Sequence, residues 1–99
     1  MLATLGDLVE DIVIRVTDPV NVASDTDATI VRRRGGSAAN VASTAARRGH
    51  RTRFLGQVGD DAVGAALVAG LRADGVDVSC VRRRGRTGTI VVLVDPEGE

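Results

Sequence analysis

An aspartate, a glycine pair and an asparagine are the residues of this 99-residue chain best suited to binding a polyol. Gly35-Gly36 precedes an Ala-rich segment, and Asn40 lies on the first turn of the helix that segment predicts. Without Cβ atoms a ligand can approach the backbone there, and the free N–H groups of a helix start can meet its oxygens. Asn40 adds a donor and an acceptor in one side chain, which suits a sugar hydroxyl. Asp11, just beyond the first predicted strand, offers a carboxylate that can accept two hydrogen bonds from vicinal hydroxyls. A plainer account fits the same residues: a glycine turn before a helix, and an exposed carboxylate at a strand start. Spacing alone favours the plainer account.

Other candidates have more ordinary explanations. Gly59-Asp60-Asp61 would bind a cation only with further oxygen ligands, and helix capping explains it better. Two arginine runs, residues 32–34 and 82–84, invite a phosphate-binding idea, but a solvated strand end is the more common use of such a run. No G-x-G-x-x-G follows a strand, and a chain without lysine has no P-loop lysine. Cys80 and His50 are each alone, so neither a disulfide framework nor a metal site is expected, and His50 reads as a solvated turn residue. No general base is identified, so no catalytic residue is assigned.

The elements that must position these residues follow from periodicity. Residues 2–5 form a short apolar run ended by Gly6-Asp7, and residues 11–17 are β-branched; both predict strands. Pro19 and the polar cluster 24–27 mark a loop, after which residues 28–33 predict a third strand. Residues 37–48 carry Ala38, Val41, Ala42 and Ala45 at helical spacing, with Gly49 at the C-terminal end. So small a face must pack very close to its neighbour. Residues 53–58 predict a strand and Asp60 caps a second helix, which buries Val63, Leu67, Gly70 and Leu71 and ends at Asp74-Gly75. Residues 76–81 predict a short strand. The apolar run 89–94 is expected to be buried on both faces. This order is that of an α/β fold. Asp95-Pro96-Glu97-Gly98 is hairpin-turn chemistry whose return strand would lie past Glu99, so the chain reads as an incomplete domain.

Composition narrows the function classes. Thirteen basic and thirteen acidic residues cancel, which removes the global electrostatic case for nucleic acid or an anionic membrane. Phe54 is the single aromatic, so stacking on bases is not on offer and the core must be aliphatic. No apolar run approaches membrane-spanning length and no leader pattern opens the chain, so a cytoplasmic location is expected.

In order and spacing these pieces resemble one family. Gly6-Asp7 with Asp11, then Gly35-Gly36-Ser37-Ala38-Ala39-Asn40-Val41-Ala42, Gly49, Phe54-Leu55-Gly56-Gln57-Val58-Gly59-Asp60-Asp61 and Gly64, resemble the N-terminal signature of ribokinase-like, PfkB-type carbohydrate kinases. Gly75-Val76 and Thr87-Gly88-Thr89 continue the likeness. The resemblance implies a three-layer α/β sandwich with a small β-sheet lid, here its start with part of the lid, over residues 1–99. It implies an enzyme that phosphorylates a sugar-like hydroxyl with ATP and Mg²⁺. Asp11, Gly35, Gly36 and Asn40 would bind the substrate. The Gly-rich motif that carries the ATP site and general base in this family has no match here, so neither cofactor nor catalysis is expected of the chain alone. Ribokinases carry Asn at the position of Val9 and Lys at that of Ser37, so ribose is not implied; a sugar or sugar acid is. The alternative is a non-catalytic module that binds a small polyol or dimerises through a lid or open strand edge.

Overall fold

The computed structural model describes residues 1–16 and 28–95. The loop expected around Pro19 and residues 24–27, and the turn residues after Asp95, lie outside them. The elements are β1 (Leu2–Leu5), β2 (Val9–Val16), β3 (Ala28–Gly35), α1 (Ser37–Arg47), β4 (Thr52–Val58), α2 (Ala62–Ala73), β5 (Val81–Arg83) and β6 (Thr89–Val94).

They form two three-stranded sheets. The first is parallel, in the order β1-β4-β5. Thr52, Phe54 and Val58 of β4 are buried against the helices, as the two-residue repeat of a strand requires. On the other face Leu5 is 79% exposed and Leu55 is half-buried, so the helices of this chain cover one side of that sheet. The second sheet has the order β3-β2-β6, with β2 antiparallel to β3 and parallel to β6.

One core joins the first sheet to both helices. Phe54 and Leu71 are fully buried, with Leu8, Ala39, Ala42, Val58, Val68 and Val76 around them. The close approach expected of an alanine face is present. A Cβ at Gly6 of the β1 turn would sit 2.7 Å from that of Ala38, and the Thr4 hydroxyl donates to the Ala38 carbonyl at 2.9 Å. The buried positions of α1 are Ala39, Ala42 and Ser43, while Val41 is 52% exposed.

Four expectations need correction. The run 89–94 is not buried: Ile90, Val91, Val92 and Leu93 are 51%, 61%, 42% and 56% exposed. β6 pairs with β2 alone among the described residues, in a sheet whose apolar surface lies outside the core. The N-cap of α2 is Asp61, not Asp60, since it is the Asp61 carboxylate that accepts from the Gly64 N–H, at 2.7 Å. That places Gly64, Val68 and Leu71 on its buried face, with Leu67 packed at the margin. Finally, residues 76–81 supply only a bridge from Asp77 to Arg53, and β5 starts at Val81.

Candidate active site

Asp11 is the third residue of β2 rather than a residue beside β1, and it stands where the second sheet joins the first. Side chains of a strand alternate, so Asp11 shares a face with Val9 and Val13. In register, Val9 opposes Gly35 and Asp11 opposes Arg33. The Asp11 carboxylate therefore lies diagonally over Gly35, in the space a side chain there would fill: a Cβ on Gly35 would collide with both carboxylate oxygens. Gly35 is buried, and it is what lets the carboxylate occupy that position.

Asp11 Oδ1 is buried and has no hydrogen-bond partner. Buried polar atoms are nearly always paired, because an unpaired one keeps its full desolvation cost. A carboxylate oxygen left unpaired is an acceptor that lacks its donor.

The next residue, Gly36, is the N-cap of α1 with φ of 104°, and a Cβ there would strike the carbonyl oxygen of Asp7. Only glycine fits that conformation and that contact. It makes no side-chain cap bond, and the first turn of α1 holds no acidic residue. The helix thus starts with free N–H groups beside the Asp7 turn and the start of β2.

Asn40 is not brought into contact with Asp11. Its backbone N–H bonds to the Gly36 carbonyl at 3.0 Å. Its exposed side chain makes no hydrogen bond among the described residues. It borders a groove of about 630 Å³ with Leu2, Val41, Thr44, Ala45, Arg48 and His50. So the structure joins Asp11, Gly35 and Gly36 directly, and Asn40 through the helix backbone.

Two anchors hold this junction in place, and neither was visible in the sequence. Arg34, next to Gly35, donates to Asp74 Oδ2 at 2.8 Å and to the Ser43 hydroxyl at 3.0 Å. Ser43 donates to the same Asp74 oxygen at 2.5 Å. The Ser43 hydroxyl and the Arg34 guanidinium hold the Asp74 carboxyl below the usual carboxylate range. β3, α1 and α2 are thereby tied together one residue from the glycine pair. The second anchor joins Asp61 to Thr87 ahead of β6, and the hydroxyl and N–H of Thr87 with the Gly64 N–H hold the Asp61 carboxyl below its ordinary value. Among the described residues no group of three or more His, Cys, Asp or Glu is arranged to hold a metal ion.

The model of the pfkB family of carbohydrate kinases matches residues 1–99. The chain belongs to that family. This pfkB-family chain is 35% identical over 82 residues to the fructokinase of Escherichia coli, an alignment covering 81% of the chain and 27% of that protein. It is 38% identical over 71 residues to the ribokinase of Schizosaccharomyces pombe, covering 66% of the chain and 22% of the relative. Its fold matches the ribokinase of Arabidopsis thaliana solved with ribose and ATP, with a TM-score of 0.86 and 28% identity over 99% of the chain and 33% of that structure. The pfkB chain thus has the ribokinase-like α/β fold and spans about a quarter to a third of the length of these relatives.

Proposed function

We propose that this chain is the sugar-binding, N-terminal part of an ATP-dependent carbohydrate kinase of the cytoplasm. The observation that carries the reading is the buried, unpartnered Asp11 Oδ1 held over Gly35. A sugar hydroxyl donating to that oxygen would pair it, and a second hydroxyl would reach the other oxygen of the carboxylate. The uncapped start of α1 at Gly36 faces ligand oxygens with N–H donors, and Asn40 offers its free amide on the same turn. These residues bind and orient.

Asp11 is the carboxylate over Gly35 at the proposed hydroxyl position, and among the described residues no group of three or more His, Cys, Asp or Glu is arranged to hold a metal ion. Phosphoryl transfer needs donors and metal placed around the developing charge. In this reading ATP, Mg²⁺ and the general base belong to further sequence of the kinase, and the 99 residues alone are inactive.

A second reading has one observation in its favour. On its face away from Asp11 the second sheet exposes Ile30, Val91 and Leu93, an apolar surface that pairing with another copy would cover. Such pairing is compatible with sugar binding and is read as an accompaniment to it. With balanced charge, neither nucleic acid nor a membrane is proposed as a partner.

The test is calorimetric titration of the chain with fructose and ribose. Wild type should bind at least one of them, and Asp11→Asn should weaken that binding by about ten- to a hundred-fold, the loss of one charge-assisted bond. A coupled assay of ADP release should show no turnover by the chain alone. Equal sugar affinity in wild type and Asp11→Asn would refute the assignment of Asp11.

A further inference from the structure

The three arginines of β3 look equivalent in sequence, but alternation along the strand separates them. Arg32 and Arg34 lie on the face shared with Glu10, and both are paired: Arg32 with Glu10 at 3.1 Å and Arg34 with Asp74 at 2.8 Å. Arg33 lies on the opposite face. Its cross-strand neighbour is Asp11.

Residues directly opposed in an antiparallel pair have Cβ atoms about 4.5–5.5 Å apart. Opposite charges so placed ordinarily bond. Here they do not: Arg33 is exposed and makes no ion pair or side-chain hydrogen bond among the described residues, while Asp11 Oδ1 is buried without a partner. A cation and a carboxylate therefore stand side by side, neither paired with the other, on the face that carries Gly35. Ile90, beside Asp11 in register on β6, with Val31 and Val92 further along, makes the rest of that face apolar.

Resting on the sugar-binding reading above, we propose that the substrate of this site is a sugar bearing an anionic group, a carboxylate or phosphate, which Arg33 holds while Asp11 holds its hydroxyls. A guanidinium is charged at any working pH, and its planar fork matches both anions in two-point fashion. A neutral sugar fills Asp11 and leaves Arg33 to water. The pairing also sets orientation. An anion turned toward Asp11 meets like charge, so the ligand's anionic end must lie on the β3 side and its hydroxyls on the β2 side. The apolar residues then face the C–H edge of the sugar.

The experiment is an amide chemical-shift titration of the chain with fructose, fructose 6-phosphate, gluconate and inorganic phosphate. At least one anionic sugar should bind about tenfold or more tightly than fructose; which one does so tells carboxylate from phosphate. Arg33→Gln, at an exposed position, should bring that sugar to the affinity of fructose and leave fructose unchanged. Arg33→Lys should keep part of the preference, and Asp11→Asn should weaken every sugar. If fructose binds as tightly as both anionic sugars, the proposal is wrong while the sugar site stands. It is equally wrong if Arg33→Gln leaves the preference intact, or if inorganic phosphate binds as well as the anionic sugars. If no sugar binds at all, the sugar site and this proposal fall together.

Discussion

The Asp61 carboxylate and Thr87 are joined twice: Thr87 donates its backbone N–H to Oδ2 at 2.8 Å and its hydroxyl to Oδ1 at 2.5 Å. The same carboxylate caps α2 through the Gly64 N–H, and the Gly59 N–H donates to the Thr87 hydroxyl at 3.2 Å. One side chain thus closes the start of a helix and fixes the segment that leads into β6.

Asp61→Ala should therefore cost far more stability than Asp60→Ala. Asp60 is exposed, and its nearest cation, Arg83, is 3.8 Å away; such surface pairs contribute little. Urea unfolding of the two variants checks this. Equal midpoints would show that the Thr87 link is dispensable.

Stability should fall in acid. Asp61, Asp74 and Asp77 all have carboxyls below their ordinary value of 3.8, and Asp77 is lowered to about 2, chiefly by hydrogen bonds from Ser79 and then from Arg53. A depressed folded-state pKa means that the unfolded chain binds protons first. The contribution is complete above about pH 4 and is lost as pH falls through the folded values, down to about 2 for Asp77. Urea midpoints should be level from pH 7 to 5 and drop below pH 4. Asp77→Asn should lower the midpoint at pH 7 and shrink the drop. A midpoint unchanged between pH 7 and 3 would contradict the network.

Gly36→Ala and Gly49→Ala separate two costs of replacing glycine. Both residues have positive φ, 104° and 91°. A Cβ at Gly49 meets nothing within 4 Å, whereas at Gly36 it strikes Asp7. Gly49→Ala should cost about 1–2 kcal/mol from backbone strain alone. Gly36→Ala should cost more and should also weaken sugar binding, because the turn beside Asp11 must shift. Similar costs at both sites, with sugar binding unchanged, would remove the role given to this turn.

Phe54→Ala should remove a large share of the stability of the fold. Phe54 is fully buried at the centre of the core, and removing such a ring costs about 3–5 kcal/mol. A domain of this size has about 5–15 kcal/mol in total. Thermal melts followed by far-ultraviolet dichroism should show graded midpoints, wild type above Phe54→Leu and Phe54→Leu above Phe54→Ala. A native spectrum and melting curve for Phe54→Ala would place the core elsewhere.

The sequence by itself determined the local elements and the family. The β-branched runs, the alanine spacing of α1 and the glycines at 35, 36 and 49 report short-range preferences of the backbone, which neighbours in the chain decide. The order of motifs from Gly6-Asp7 to Gly64 was likewise readable, because glycines and carboxylates at turns are fixed by the turns themselves. Tertiary structure decided what each strand faces. The run 89–94 has the composition of a buried strand, yet it lies exposed at a sheet edge, since burial depends on which layers cover a strand and not on its own residues. Asp60 and Asp61 are equally good caps by type, and the backbone turn, with Thr87 arriving from 26 residues away, chose between them. Arginines 32 to 34 form one run in sequence; register against β2 gave one to Glu10, one to Asp74 and left Arg33 beside Asp11. Pairing register is a long-range property, and a one-residue slip would exchange the two faces.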